Sequence, residues 1–145
     1  MKVMFDTNVY ISYIRSDRHS GEMERRGNVK YIAGTVLMEL WAGARTKPAE
    51  RFLQKNLKPY IAAGRVVTLD SEYYITIGQF IADLPRQYDT LIQKAGFFND
   101  VHIAFMALSI GAVLYTEDRD HFGIIGNRLQ SLRVEYLQNQ KSEEE

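Results

Sequence analysis

Short continuous apolar runs alternate along this chain with longer segments whose apolar residues recur every three or four positions. The runs predict buried strands and the spaced segments predict amphipathic helices. Residues 2–5 form an apolar strand that leads straight into Asp6-Thr7-Asn8, and Val9, Ile11 and Ile14 then follow with partial helical spacing. Residues 16–28 are polar, hold two glycines, and predict a loop or short helix before a second strand at 29–33. Thr35 is expected to cap a helix reaching about Ala44, closed by Gly43 and the Lys47-Pro48 break. A further helix spans 48–63, with Pro48 at the favoured first turn and Gly64 ending it.

The second half repeats the alternation. Val66, Val67 and Leu69 make a third strand, and Asp70-Ser71 opens a helix that stops near Pro85. Residues 89–95 suit a short helix. Asn99 or Asp100 is expected to cap a helix over 101–110, which Gly111 terminates, and residues 112–115 form a fourth strand. Residues 133–137 read as a last strand. This order implies a three-layer α/β/α fold with a mostly parallel central sheet. With no repeat or Gly- or Pro-rich linker, residues 1–137 are expected to form one domain, followed by a flexible acidic tail at 138–145.

Composition narrows the chemistry. A chain of 145 residues is long enough for one domain that buries roughly 70% of its unfolded surface. It has no cysteine, which removes thiol nucleophiles, disulfides and zinc-thiolate sites and fits a reducing compartment. The amino terminus lacks a signal-peptide pattern, and no apolar run approaches the roughly 20 residues that span a bilayer, so a soluble, cytoplasmic protein is expected. Net charge is zero but polarised: residues 1–65 hold twelve Lys and Arg against six Asp and Glu, and residues 66–145 hold the reverse. Arg15, Arg18, Arg25, Arg26, Lys30, Arg45 and Lys47 suit either a phosphate-facing rim or ordinary solvated helix faces.

Four acids break the apolar pattern: Asp6 after the first strand, Glu39 inside Val-Leu-Met-Glu-Leu-Trp, Asp100 before Val-His-Ile-Ala-Phe, and Asp118 after the fourth strand. An unpaired carboxylate near a core loses hydration worth several kcal/mol and tends to be protonated, paired or metal-bound. Each has a structural alternative. Asp6 and Asp100 suit helix N-caps, Asp118 suits an exposed turn, and Glu39 lies at the edge of an apolar stripe. Taken together they point elsewhere. Loops at the carboxyl ends of strands form the crevice of an open α/β sheet, and if the strands of Asp6 and Asp118 are neighbours, all four acids can converge there.

Two carboxylates about 4 Å apart repel by roughly 4 kcal/mol at an effective dielectric near 20, so a shared divalent cation is the economical explanation. Oxygen ligands suit Mg²⁺ or Mn²⁺ and the hydrolysis of phosphodiesters. His102 reads as a packed or surface residue, and His19 and His121 are expected in polar loops, which argues against zinc. No GxxxxGK[ST] or GxGxxG phosphate loop and no GxSxG elbow occurs. An aspartyl-nucleophile phosphatase at Asp6 is disfavoured because Asn8 stands where such enzymes carry a second Asp.

Asp6-Thr7-Asn8, Glu39-Leu40, Asn99-Asp100-Val-His-Ile-Ala and Leu114-Tyr-Thr116-Glu-Asp118-Arg-Asp-His-Phe122 occur in that order. In this the chain resembles the PIN-domain ribonucleases, in particular the VapC-like toxins of toxin-antitoxin pairs, over nearly its whole length. The resemblance implies a PIN-like fold and an endoribonuclease dependent on Mg²⁺ or Mn²⁺. It also implies an RNA substrate, a cognate antitoxin and a homodimer. Asp6, Glu39 and Asp100 match the first three acids of the family; Asp118 best fits the fourth, with Asp120 as its rival. Thr7 and Thr116 match hydroxyl neighbours that orient ligands or water. Phe105 stands where many relatives have a small residue, a difference expected to affect packing. The alternative within the resemblance is a catalytically silent PIN-like domain that binds RNA or protein.

Overall fold

A computed structural model describes residues 1–139. Along the chain the elements are β1 (Lys2–Phe5), α1 (Thr7–Ser16), α2 (Ser20–Met23), β2 (Val29–Ala33), α3 (Gly34–Ala42), α4 (Lys47–Ala62) and β3 (Val66–Val67). They continue as α5 (Ser71–Ala82), a 3-10 turn at Arg86–Tyr88, α6 (Asp89–Ile92), α7 (Ala95–Ile110), β4 (Val113–Thr116), α8 (Arg119–Arg128) and β5 (Arg133–Tyr136). The five strands lie in the order β3-β2-β1-β4-β5 and every pair is parallel.

That order explains the apolar runs. Val3, Met4 and Phe5 are fully buried because β1 is the central strand, covered on both faces. β5, at an edge, alternates exposed and half-buried residues instead. From β1 the chain moves out through β2 to β3, then crosses back over β1 to β4 and β5. With right-handed crossovers the helices between β1 and β3 cover one face and those between β3 and β5 the other. The chain therefore reverses its direction of winding between β1 and β4, and the carboxyl ends of those two strands flank the crevice where such sheets bind ligands.

α7 supplies much of the core. Phe97, Val101, Ile103, Ala104, Phe105, Met106 and Ala107 are all buried, and the helix packs on α5, α6 and α8. Phe105 meets Phe80 edge-on at 5.6 Å, so its bulk is absorbed by packing between α5 and α7. Gly111 ends α7 at φ 67°, a left-handed position that favours glycine.

Several boundaries differ from expectation. α7 begins at Ala95, so Asn99 and Asp100 lie in its second turn and are not its caps. α3 begins at Gly34 with Ala33 in the cap position, and the Thr35 hydroxyl is buried without a hydrogen-bond partner. Residues 119–128, for which the sequence pattern predicts no element, form α8. The third strand stops at Val67, short of Leu69. Of the expected tail, residues 140–145 lie outside the described residues. Among the described residues, no helix is long and apolar enough to cross a membrane.

Candidate metal centre

Backbone geometry brings two of the acids together first. β1 pairs with β4 in parallel, Phe5 opposite Tyr115, and the Asp6 N–H continues the ladder to the Tyr115 carbonyl at 2.9 Å. Asp6 is thus held at the end of a buried strand, 4% exposed, where it also caps α1 by accepting from the Thr7 N–H at 2.7 Å. Its other oxygen accepts from the Thr116 hydroxyl at 2.8 Å, and that hydroxyl oxygen accepts from the Asp118 N–H at 3.0 Å. Thr116 therefore stitches the end of β4 to Asp6. Asp118 caps α8 through the His121 N–H at 3.0 Å.

The other two acids arrive on helices. Asp100 projects from the second turn of α7, and Glu39 from α3, where the Asn99 amide donates to its carboxylate. His121, in the first turn of α8, bonds through Nδ1 to Asp100 at 2.6 Å and lies 3.3 Å from Asp118. One ligand atom from each of Asp100, Asp118 and His121 falls within 4.8 Å of the others. Asp6 and Glu39 stand outside that trio.

The acids also act on one another through their charges: Glu39 and Asp118 on Asp6, and Asp6 and Asp118 on Asp100. Burial pushes the Asp6 carboxyl from 3.8 up to about 6, opposed by the Thr116 and Thr7 hydrogen bonds, with the charges of Glu39 and Asp118 adding to the rise. Burial raises Asp100 from 3.8 to about 7, the Asp6 charge next, with the His121 hydrogen bond and charge pulling it down and Asp118 raising it slightly. Neither acid has a Lys or Arg within ion-pair distance among the described residues. The donor set fits a divalent cation: hard carboxylate oxygens, two of them pushed toward protonation, beside a buried Thr7 hydroxyl that has no hydrogen-bond partner.

Of the expected residues, Asp6 is joined to Asp118 through Thr116, Asp100 lies beside Asp118 through His121, and Glu39 is bonded to Asn99 and acts on Asp6 through its charge. Asp120 is exposed in the first turn of α8, and it is Asp118 whose charge reaches Asp6 and Asp100. His121 corrects the reading of that residue as a loop histidine: it lies in α8 and touches two of the acids. His102 stays at the surface, bonded to the Phe98 carbonyl at 2.8 Å. Arg15 lines a groove with Glu39, whereas Lys30 donates to the Met23 carbonyl at 2.8 Å and Lys47 faces Glu50. Arg119, unforeseen in the sequence, lies over the Tyr136 ring at 4.8 Å beside Asp118.

The PIN domain family model matches residues 3–126. Among solved structures, the chain is 27% identical to DNA-bound VapBC from Salmonella typhimurium, covering 94% of this chain and 98% of that one at a TM-score of 0.62. VapBC-1 from nontypeable Haemophilus influenzae is 20% identical, with 94% and 98% covered and a TM-score of 0.65. VapBC2 from Rickettsia felis, bound to a promoter DNA fragment, is 24% identical, with 94% and 99% covered and a TM-score of 0.60. At 20–24% identity the last two speak to the fold alone. No curated protein matches the chain.

Proposed function

The chain belongs to the PIN-domain family, and from that membership we propose that it is a metal-dependent endoribonuclease and the toxin of a type II toxin-antitoxin pair. The observation that supports the proposal is the chain of contacts from Asp6 through Thr116 to Asp118 and from Asp118 through His121 to Asp100, with Asp6 and Asp100 pushed up to about 6 and 7. Asp6, Asp100 and Asp118 would hold Mg²⁺ or Mn²⁺, which when bound supplies charge neutralisation at the phosphate and a more acidic water. Glu39, fixed by Asn99, is placed to bind through water or to accept the proton of the attacking water. Thr116 keeps Asp6 and Asp118 in register, and Thr7 offers a free hydroxyl for a water or phosphate oxygen. Arg119, braced on Tyr136, supplies a positive charge for the RNA backbone.

Residues 1–137 act in this reading as one PIN-like domain, working in the cytoplasm as a homodimer. The groove lined by Ile11, Ile14, Arg15, Glu39, Leu40 and Phe52 has a volume of about 440 Å³ and suits an apolar segment of an antitoxin that ends beside the acids. The similarity to the VapBC complex from Salmonella typhimurium supports an antitoxin partner.

The direct test is incubation of the purified protein with RNA, with and without Mg²⁺ or Mn²⁺. Metal-dependent cleavage that disappears in Asp100→Asn is expected; cleavage that survives in that variant sinks the assignment. A second reading, a silent PIN-like binding domain, draws on His121, which already gives Asp100 a partner without a metal. RNA affinity without cleavage under any divalent ion selects it.

A further inference from the structure

Behind the acid that caps α8 sits a second polar cluster that the proposed chemistry does not use. Glu117 lies between Thr116 and Asp118, and its carboxylate turns away from the crevice. One oxygen accepts both from the Ser12 hydroxyl at 2.7 Å and from His19 Nε2 at 2.7 Å. The His19 and Glu117 side chains are only 8% and 10% exposed. The Glu117 N–H meanwhile donates to the Asn8 side chain at 3.3 Å. Three residues spread over α1 and the corner before α2 thus grip one residue of the turn after β4. His19 reaches its position from a left-handed backbone at φ 64°, a conformation that non-glycine residues enter only when their surroundings hold them there.

That grip bears on the ligands. The backbone leaving Glu117 carries Asp118, whose N–H meets the Thr116 hydroxyl that also binds Asp6. The turn is held on one side by Asp6 and on the other by Ser12 and His19, which fixes where the Asp118 carboxylate points. Groups that orient metal ligands from behind typically change metal affinity 10- to 100-fold when removed. We infer that Glu117, clamped by Ser12 and His19, is a positioning residue that sets the affinity of the crevice for its divalent cation.

The inference rests on the metal-site reading above, and one experiment separates the two. Mn²⁺ is titrated into wild type, Glu117→Ala, Glu117→Gln and Ser12→Ala, with thermal melting read at each concentration and in EDTA. Glu117→Ala should raise the Mn²⁺ concentration needed for half the stabilisation by roughly 10- to 100-fold. Glu117→Gln keeps an oxygen acceptor for both partners and should lie within about threefold of wild type, and Ser12→Ala should fall between the two. If Glu117→Ala lowers the melting point in EDTA but leaves the Mn²⁺ midpoint unmoved, Glu117 is merely structural and the inference fails while the metal site stands. It fails equally if Glu117→Gln is as impaired as the alanine variant. Should Glu117→Ala not fold, a Ser12→Ala midpoint equal to wild type overturns the inference. A wild type that ignores Mn²⁺ overturns both readings.

Discussion

Asp6 and Asp118 are products of the same local device, a strand running into an Asp that caps the next helix, yet the two positions are physically opposite. Asp6 ends the central strand, 4% exposed, and is pushed to about 6. Asp118 follows β4 one residue later in its turn, keeps its side chain 28% exposed, and caps α8 in the ordinary way through the His121 N–H. The first acid is a strained charge whose cap bond, to the adjacent N–H, could be made by other polar residues. The second stabilises a helix. The crevice thus combines one acid the fold tolerates with another the fold uses, so their removal should diverge in sign.

Activity gives the largest contrast between loss and tolerance. Asp6→Asn and Asp100→Asn should each lower metal-dependent RNA cleavage by about a hundredfold or more, since a cation site of this kind contributes several kcal/mol to the transition state. Initial rates on a defined RNA with saturating Mn²⁺ check this, and a loss of less than about tenfold for Asp6→Asn would remove the buried acid from the chemistry.

Stability against pH comes next. Asp6 and Asp100 titrate near 6 and 7 when folded, both above the ordinary 3.8. Between those values the folded protein holds protons that the unfolded chain has released. Their contribution is therefore full below about pH 4 and is lost as pH rises through 6 and 7. For Asp6 the change is about 3 kcal/mol. In EDTA, wild type should lose stability relative to Asp6→Asn between pH 4 and 8, as followed by urea melts.

The smallest effect isolates the cap. Asp118→Ala should destabilise the metal-free protein by about 1 kcal/mol, and Asp118→Asn by much less, because Asn caps a helix about as well as Asp. Asp6→Asn should leave the EDTA melting point unchanged or raise it. Equal losses at Asp6 and Asp118 would erase the distinction between a tolerated acid and a used one.

The acids are legible in the sequence because burial makes a carboxylate conspicuous: Lys-Val-Met-Phe and Val-Leu-Tyr-Thr leave Asp6 and Asp118 at the ends of mostly apolar strands. Their meeting depends on β1 and β4 being neighbours, which is a long-range fact with no local signature. The start of α7 is hidden because Ala95-Gly96 resembles a loop, while tertiary burial of Phe97 holds the first turn in the helix. With that turn taken for a loop, Asp100 falls at the cap position. α8 has a weak signal because Gly123 and Gly126 lower its propensity and few apolar residues mark its face; Phe122 and Ile125 anchor it. His121 and His19 can be placed only once α8 and the left-handed corner are known, since their partners lie 21 and 98 residues away.

Whether the converging acids form a cation site is decided by thermal melting at pH 7.5 in EDTA and in Mn²⁺. With free Mn²⁺ a hundredfold above its dissociation constant, wild type should be stabilised by about 2.7 kcal/mol. For a domain of this size that is roughly 5–10 °C. Asp100→Asn should respond far less. A wild-type melting point that millimolar Mn²⁺ and Mg²⁺ both leave unmoved would rule out the cation site, and the acids would then be held by Thr116, Asn99 and His121 without a cation.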